Sequence, residues 1–570
     1  MTRSTLARAG LGRPGVRGPR AVLGMAAVLA MLGAGAPAAH AHSAMFPDGF
    51  RFDDSNEGPS AAQLRQQRPA NAPAGVCAGG QADGYPCSKV DLRAFVPKAS
   101  LGGGTQNLND IWGWTDPLTG AEIAIVGRTH GTAFVDISVP TAPVLLGFLP
   151  SHNGGSDAWR DIKVYADHAF IVADGGGNAS HGLQVFDLRT LRGLPPGGTL
   201  SETAHLGTFG PAHNIAINED TGYAYVVGSN RCSGGLYMVD VSSPQAPAFA
   251  GCFSADGYTH DTQCVVYAGP DAAYAGREIC VAYNEDTVTV VDVTNKANPQ
   301  MLSRTPYAGV RYTHQGWFLD GSHDTIIVND ELDESSNGHN TRSYLFDLSD
   351  LDRPVEIGRY TGPTPAIDHN LYTRDGYVFE TNYRAGLRIL DASAARSGTL
   401  TEVAYFDTIP GSDAPQFSGT WSSYVWFGSG NVVLSDIGGG LFVVAPDWDA
   451  IGGGGGGSSF ENTTPVAIPD RNLAGATSAI AVTRSGQAGT VEVTVDITHP
   501  AIGQLIVDLI SPAGTVRNLH NRTGGSTDNL QQTYTVDAGT EAAEGTWQLR
   551  VRDIRRRQTG TLHGWRIRFP

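Results

Sequence analysis

A short apolar run that ends in a polar residue recurs along the middle of the chain, each time followed by a turn and a second apolar run. Six copies end in aspartate and the seventh in alanine, at residues 134–136, 185–187, 238–240, 290–292, 345–347, 389–391 and 443–445. Successive copies lie 51, 53, 52, 55, 44 and 54 residues apart. Such a period is typical of a β-propeller, because a unit of about four strands must stack on its neighbours to bury both faces. The pattern therefore predicts seven blades.

The two ends of this array predict how the ring closes. Several copies continue through a proline turn into an outer strand, as at residues 143–150, 247–253 and 354–360. The seventh copy has no such strand and runs directly into six glycines at 452–457. Residues 90–97 have the outer-strand pattern but no blade of their own. We therefore predict that they complete the last blade, which would pair its exposed edge.

The polyglycine segment divides the chain into two predicted domains. We expect a lead at 42–89, a propeller at 90–451, a Gly/Ser linker at 452–459 and a second domain at 460–570. Apolar and polar residues alternate at 491–495, and an apolar run with one aspartate follows at 504–510. These patterns predict half-buried strands of a small, jelly-roll-like β-sandwich. The predicted fold class is all-β.

The first 41 residues have the pattern of an export signal. They contain five arginines and no acidic residue, an apolar stretch at 21–32, and the small-residue sequence Ala39-His40-Ala41, which predicts cleavage after Ala41. Removal of this segment takes the formal net charge from -17 to -22 (-17 - 5). So acidic a surface argues against nucleic acid as a partner. No second stretch of spanning length follows, so we expect no transmembrane segment in the mature chain.

Six cysteines in an exported chain predict disulfides. Their spacing favours local pairs, namely Cys77–Cys87, Cys232–Cys252 and Cys264–Cys280. A Cys252–Cys264 bond is the rival that spacing alone leaves open.

Histidines open the first strand of four successive predicted blades, at His213, His260, His314 and His369. Because the first strands of a propeller surround its channel, these side chains should converge on the axis. Imidazoles meeting at one point suit a transition metal. The alternative is a structural ring of hydrogen bonds between blades. Three nitrogens within reach of one point would favour a metal, and separate hydrogen bonds to Asn214, Asp261 or Asn370 would favour the ring.

The densest acidic patch of the chain is a predicted loop that contains Asp330, Glu331, Asp333 and Glu334. Oxygen-rich segments of this kind suit Ca²⁺ or Mg²⁺, although the spacing is not that of an EF-hand. A solvated loop is the alternative. The predicted cofactors are thus a transition metal at the axis and Ca²⁺ at this segment, with neither identified by sequence alone.

Tryptophans cluster near the same strand starts, at Trp112, Trp114, Trp159, Trp317, Trp421 and Trp426. They could form a rim for a flat or sugar-like ligand, or pack between blades. No catalytic residues are predicted. The segment at His130 lacks the serine and carboxylate partners of a protease triad, and the glycines at 452–457 lack the Lys-Ser/Thr of a phosphate loop.

Residues 77–446 resemble the choice-of-anchor B family of bacterial propellers with LVIVD repeats. The segments that carry the resemblance are 109–114, 131–136, 159–165, 212–214, 258–261, 312–317 and 365–370. The resemblance implies an extracellular or cell-surface location and leaves the activity open. A protein, small-molecule or glycan ligand at the channel face is the expected partner.

Residues 464–570 resemble the P domain, or Homo B domain, that follows the catalytic domain of subtilisin-like proprotein convertases. The matching segments are 496–500, 505–515, 545–551 and 560–565. The resemblance implies an association with serine endopeptidases, but here a propeller stands where the protease would be. The first functional hypothesis is thus an exported binding or scaffold protein. The alternatives are a metal-dependent enzyme that uses the axial histidines and an accessory of proteolysis.

Overall fold

The computed structural model describes residues 75–174, 180–448, 450–451, 459–482, 487–556 and 558–569. The predicted export signal, its cleavage point after Ala41 and nearly all of the predicted linker lie outside these residues. Among them, no helix is long and apolar enough to cross a membrane. Strands make up most of the regular secondary structure of the described residues, as the sequence predicts.

Three strands precede the first blade, and the first two blades follow. The leading strands are β1 (Gln81–Ala82), β2 (Tyr85–Ser88) and β3 (Val90–Pro97). Blade one consists of β4 (Leu108–Thr115), β5 (Glu122–Arg128), β6 (Gly131–Asp136) and β7 (Val144–Pro150). Blade two consists of β8 (Trp159–Tyr165), β9 (His168–Asp174), β10 (Leu183–Asp187) and, after β11 (Gly198–Thr199), β12 (Ala204–Leu206). Strand β11 adds to the edge of blade one through parallel pairing with β7.

The next three blades are regular four-stranded antiparallel sheets. Blade three is β13 (Asn214–Asn218), β14 (Tyr223–Val227), β15 (Tyr237–Asp240) and β16 (Ala248–Cys252). Blade four is β17 (Asp261–Val266), β18 (Glu278–Tyr283), β19 (Val288–Asp292) and β20 (Gln300–Thr305). Blade five is β21 (Thr313–Phe318), β22 (Thr325–Asp330), β23 (Arg342–Asp347) and β24 (Val355–Thr361), with the short helix α1 (Asp333–Asn337) between β22 and β23.

The last two blades take strands from the N-terminal segment. Blade six is β25 (Asn370–Arg374), β26 (Tyr377–Thr381), β27 (Leu387–Asp391) and β28 (Thr401–Phe406). Blade seven is β29 (Thr420–Tyr424), β30 (Val432–Asp436) and β31 (Gly440–Pro446). Strand β3 pairs antiparallel with β31, and β2 pairs with β28. The predicted closing strand is therefore confirmed, and the lead also covers the outer edge of blade six.

The innermost strands contact one another in cyclic order, which closes the ring. Strand β4 neighbours β8, and the series continues through β13, β17, β21 and β25 to β29, which contacts β4 again. Apolar side chains between successive blades form the core. Examples are Ile162, Ile215 and Ile327, all fully buried. This closure confirms the prediction of seven blades around one axis.

The aspartate that ends each repeat caps the turn after the third strand. The carboxylate of Asp136 accepts hydrogen bonds from the backbone N–H and hydroxyl of Ser138 at 2.8 and 2.6 Å. Equivalent backbone bonds run to Asp240, Asp292, Asp347 and Asp391 from the residue two positions later. Short side chains that bond their own backbone favour such turns. The most conspicuous sequence feature of the repeat is thus structural.

Three disulfides join the cysteine pairs that the sequence predicts, and no free cysteine occurs among the described residues. Cys264 and Cys280 stand opposite each other on β17 and β18. Their antiparallel register excludes the rival Cys252–Cys264 bond. The Cys77–Cys87 bond closes the hairpin of β1 and β2 at the edge of blade six.

The C-terminal domain is a sandwich of two antiparallel sheets. Its strands are β32 (Ser459–Asn462), β33 (Val466–Ile468), β34 (Ala476–Val482), β35 (Gln487–Thr498), β36 (Leu505–Ile510), β37 (Val516–Asn521), β38 (Leu530–Ala542), β39 (Gly545–Asp553) and β40 (Gly560–Arg568). One sheet has the order β32-β40-β35-β38, with β33 also paired to β40, and the other β34-β39-β36-β37. Alternate residues of β35 are buried, including Val491, Val493 and Val495, as a half-buried strand requires.

Candidate functional site

The four predicted histidines lie side by side at the axis of the propeller. Each immediately precedes or begins the innermost strand of its blade, so the ring symmetry brings them together. Ring centroids are 4.3 Å apart for His213 and His260, 4.0 Å for His260 and His314, and 4.4 Å for His314 and His369. All four are buried, with 4% or less of each residue exposed. The convergence that the sequence predicts is therefore present.

Backbone carbonyls orient two of these imidazoles. The Nδ1 atom of His260 lies 2.8 Å from the carbonyl oxygen of His314, and Nδ1 of His369 lies 2.6 Å from that of Trp421. A carbonyl can only accept, so Nδ1–H donates in each neutral ring and Nε2 keeps its lone pair. Burial lowers the pKa of His369 to about 3, which keeps its ring neutral. A neutral ring whose Nδ1–H is held by a carbonyl is arranged as metal-ligating histidines are.

Glu331 joins His314 and His369 to form a three-ligand cluster, the axial triad. Its carboxylate oxygens lie 3.7 Å from His314 Nε2 and 3.8 Å from His369 Nε2. One ligand atom from each of the three residues lies within 4.8 Å of the others. The hydroxyl of Tyr383 donates to Glu331 Oε1 at 2.7 Å. Burial raises the Glu331 pKa to about 8, against the opposing effect of this hydrogen bond.

The axial triad has the donor set of a transition-metal site. Two neutral imidazoles and one carboxylate bind catalytic Zn²⁺ in some enzymes and Fe²⁺ in others, with further positions left for water or substrate. Ligand atoms about 2.0–2.2 Å from a metal stand roughly 3.3 Å apart in tetrahedral geometry. The carboxylate–imidazole separations of 3.7 and 3.8 Å are close to this value, and one ligand atom from each of the three residues lies within 4.8 Å of the others. The residues therefore fit such an ion.

The four acidic residues at the end of β22 and directly after it lie in different surroundings. All are buried, so the alternative of a solvated loop is wrong. Asp330 accepts hydrogen bonds from the Tyr307 hydroxyl at 2.9 Å and from the backbone N–H groups of Arg311 and Tyr312 at 2.7 Å each. These hydrogen bonds fix the backbone of the segment that leads into β21. Glu331 faces the axis, while Asp333 and Glu334 begin α1.

The remaining axial histidines are neighbours of the triad. His260 lies between His213 and His314 with its ring tilted to both, and His213 Nδ1 lies 3.5 Å from a carboxylate oxygen of Asp174. Asn214 donates through Nδ2 to the carbonyl of His260 at 3.1 Å. Sequence reasoning placed the histidines at the axis but missed Glu331 as their partner. The sequence feature that could have indicated this partner is the position of Glu331 directly after β22, where the chain turns back toward the channel.

A second cluster on the innermost strands consists of the carboxyls of Asp110, Asp161 and Asp261 and the amine of Lys163, and is here called the acidic level. Lys163 Nζ lies 2.6 Å from Asp161 Oδ1, while Asp161 Oδ2 accepts the backbone N–H of Ile215 at 2.7 Å. Burial, followed by repulsion from Asp161, raises the pKa of Asp261 to about 8. Burial and the same repulsion raise the pKa of Asp110 well above its usual range. One lysine thus faces more carboxyls than it can neutralise.

The predicted tryptophan rim separates into different environments. Trp112, Trp317 and Trp426 form one aromatic cluster with Tyr372 and Tyr424, and Lys163 lies 4.4 Å above the Trp112 ring. Trp159 and Trp421 instead contact the histidines, and Trp114 donates to Asp167 at 3.0 Å. Packing therefore explains the first group. Trp159 and Trp421 are the tryptophans beside the candidate site.

Fold and site together define the class of this protein. It is a seven-bladed propeller with an axial histidine–glutamate cluster, followed by a β-sandwich. Family models match both parts. Residues 209–254 and 275–305 match the LVIVD repeat, and residues 488–569 match the proprotein convertase P-domain. The chain thus contains LVIVD repeats and a P domain. The choice-of-anchor B assignment is consistent with these matches and stays a prediction.

Curated relatives match over about the length of one domain. Leupeptin-inactivating enzyme 1 of Streptomyces exfoliatus is 50% identical over 115 residues, which is 20% of this chain and 26% of that protein. The transglutaminase-activating metalloprotease of Streptomyces mobaraensis is 46% identical over 114 residues, 20% of this chain and 15% of that protein. The chain therefore spans about a quarter or less of the length of these two relatives. Since one is named a metalloprotease, the shared region is not confined to serine endopeptidases.

Among solved structures, the C-terminal WD40 domain of Sif2 is 9% identical, with 60% of this chain and 97% of that chain covered at a TM-score of 0.38.

Three disulfides and relatives that include an extracellular basic protease of Dichelobacter nodosus, 33% identical over 101 residues, indicate export of this chain.

Proposed function

We propose that this protein is an exported metal-dependent binding protein, whose propeller holds a divalent transition metal at the channel mouth and presents it to a small ligand. The axial triad of His314, Glu331 and His369 carries the proposal. His314 and His369 come from neighbouring blades, and Glu331 directly follows β22 of blade five. Three protein ligands leave at least one coordination position, through which a ligand with a lone pair would bind.

The surroundings of the triad support recognition of a partly apolar ligand. Trp421 packs edge-on against His369, with centroids 4.8 Å apart, and Trp159 lies beside His213. Both belong to a cluster of buried apolar side chains with Tyr383 and Ile437. An ion bordered by aromatic surface would take a ligand with one donor group and an apolar body. Catalysis of hydrolysis or oxidation at the same ion is the alternative function.

Metal content of the exported, full-length protein tests this proposal. We expect close to one Zn, Fe or related transition-metal ion per chain by elemental mass spectrometry. Glu331→Gln keeps the shape of the side chain but removes its charge, so affinity for the metal should fall by at least about 100-fold. His314→Ala should have the same effect. The matched control His205→Ala removes a histidine outside the axial ring and should retain the metal.

A chain that carries no transition metal, and gains none when Zn²⁺ or Fe²⁺ is supplied, would contradict this function. The histidines would then serve as packing between blades, and the protein would be a scaffold without an ion. Circular dichroism of Glu331→Gln separates loss of metal from loss of fold.

The P domain supports a second function, an association with extracellular proteolysis. The specific observation is the 50% identity to a leupeptin-inactivating enzyme over 115 residues. We propose that the P domain either docks to a secreted protease or is removed at the glycine linker during export. Intact-mass spectrometry of the secreted protein tests removal: a mature form that ends near Ile451 is expected if the linker is cleaved. A mass that includes Pro570 would leave docking as the only form of this proposal.

A further inference from the structure

Arg384 is a buried arginine whose side-chain hydrogen bonds both go to neutral groups. It lies in the loop between β26 and β27, and only 2% of the residue is exposed. Its Nε donates to the hydroxyl of Ser418 at 2.8 Å, and its Nη1 donates to the hydroxyl of Ser412 at 3.0 Å. Its Nη2 has no hydrogen-bond acceptor among the residues that the structure describes.

The positive charge of this side chain is therefore uncompensated. A guanidinium stays protonated in proteins, and a buried charge is costly unless it is paired. More exposed arginines of this chain do bind acids: Arg192 pairs with Asp116, and Arg396 pairs with Asp320 and Asp324. A buried donor without a protein partner calls for a water molecule or an ion, and only an anion would also compensate the charge.

The two serines extend the set of donors around the guanidinium. Each hydroxyl accepts a hydrogen bond from Arg384 and keeps one hydrogen of its own to donate. Because the guanidinium is planar, an acceptor at Nη2 would lie beside the nitrogens that hold these hydroxyls. Asp413 follows Ser412 in the chain, but neither hydrogen bond of Arg384 goes to it. This group of side chains therefore offers donors and a positive charge.

The backbone around this group is fixed by hydrogen bonds. The N–H of Ala385 donates to the carbonyl of Asn382 at 2.8 Å, which closes the loop that carries Arg384. The N–H of Thr420 donates to the carbonyl of Tyr383 at 2.9 Å, which joins this loop to the segment of the buried serine. Donors that are already held in place bind a ligand without a further cost of ordering them.

We propose that Arg384, Ser412 and Ser418 form an oxyanion site, which takes a carboxylate, phosphate or sulfate group. The fork of N–H donors on arginine matches the oxygens of such groups, and hydrogen bonds to an ionised acceptor are stronger than those between neutral groups. Ser412 is half-buried and the adjoining Gly411 is exposed, so the anion enters from the solvent side of this loop.

The oxyanion site goes beyond the proposed function and lies at the same end of the propeller as the axial triad. The loop follows β26, whose last residue pairs with Asn370, next to His369. Tyr383, which precedes Arg384, donates to Glu331 of the triad at 2.7 Å. None of the three proposed anion ligands is a metal ligand, so the two sites can be tested separately.

Thermal unfolding of the full-length protein with added oxyanions tests the site. We expect sodium phosphate, sulfate or acetate to raise the Tm by a few degrees, because a ligand that binds only the folded state stabilises it. The rise should saturate and should exceed that in NaCl of equal ionic strength. Arg384→Gln removes the charge and should abolish the saturable part, while general salt effects on burial remain. A response to acetate identifies a carboxylate site, and a response confined to phosphate and sulfate identifies a site for tetrahedral anions.

Three further variants make the outcome decisive. Arg396→Gln removes an exposed arginine outside the site and should keep the rise. Ser412→Ala should weaken anion binding by about tenfold, and it replaces Arg384→Gln as the test if that variant does not fold. Glu331→Gln should lose the transition metal and keep the rise, so failure of one proposal does not decide the other. An equal saturable rise in Arg384→Gln, or none with any of the three anions, would overturn the oxyanion site.

Discussion

Deletion of residues 75–97 is expected to abolish cooperative folding of the propeller. Strand β3 pairs with β31 from Val90 to Pro97, and it buries Val90 and Leu92 against the last blade. Burial of each large apolar side chain is worth about 1.5–3 kcal/mol. The deletion also exposes the edges of two blades, so the loss approaches the 5–15 kcal/mol of a typical domain. Thermal unfolding followed by circular dichroism measures the effect.

A rearranged chain provides the matched control. Val90 stands opposite Pro446 in the register of β3 and β31, so a short turn can join the end of blade seven to residue 90. We expect a chain in which residues 90–97 follow residue 446, ahead of the linker, to recover much of the lost stability. An unchanged Tm in the deleted chain would show that pairing at β31 does not hold the ring closed.

Replacement of Asp261 by asparagine is expected to stabilise the protein at high pH and to have little effect near pH 4. The pKa of this acid rises from an ordinary value of 3.8 to about 8 in the folded chain. The folded state therefore binds a proton that the unfolded state has released, and the free energy of unfolding falls as pH rises from about 4 to about 8. Each factor of ten in proton affinity is about 1.4 kcal/mol. Because solvent screens the charge of this half-buried residue, we expect a gain of only a few kcal/mol at pH 9.

Denaturant unfolding of both proteins at pH 5, 7 and 9 measures this effect. The difference between them should grow with pH, since Asp261→Asn removes the charge while it preserves the hydrogen bond from the Thr262 backbone to the side-chain oxygen. Asp220→Asn, at an exposed position, should show no such trend. A constant difference across the three pH values would mean that Lys163 neutralises the acidic level of the channel without help from protonation.

Local features of the sequence predicted most of the fold. The capped turns at Asp136 and its equivalents identify the third strand of the first six blades, because the same short-range hydrogen bond marks the same place in each of these repeats. Residues 90–97 were recognisable as a closing strand since their pattern matched the outer strands and the seventh repeat lacked one. The pairing of β2 with the outer strand of blade six was not predicted, because the four residues of β2 show no sequence pattern that indicates a partner strand.

The candidate site was predictable only in part. The position of each histidine at a strand start led to the axis, because ring symmetry places equivalent residues together. The pairing of Glu331 with His314 and His369 was missed. It depends on how the chain turns directly after β22, and no periodicity in the sequence describes that turn.

The sequence by itself determined the number of blades, the closing strand and the four axial histidines, while the structure selected the disulfide partners from the alternatives that spacing left open. These follow from repeat spacing, alternation and symmetry, which act locally or identically in every blade. Only the tertiary structure decided that the four neighbouring acids lie in three different environments. These acids are Asp330, Glu331, Asp333 and Glu334. The reason is physical: each carboxylate lies where hydrogen-bond donors reach it, and these donors come from other segments of the chain, such as Tyr383 for Glu331 and Tyr344 for Asp333.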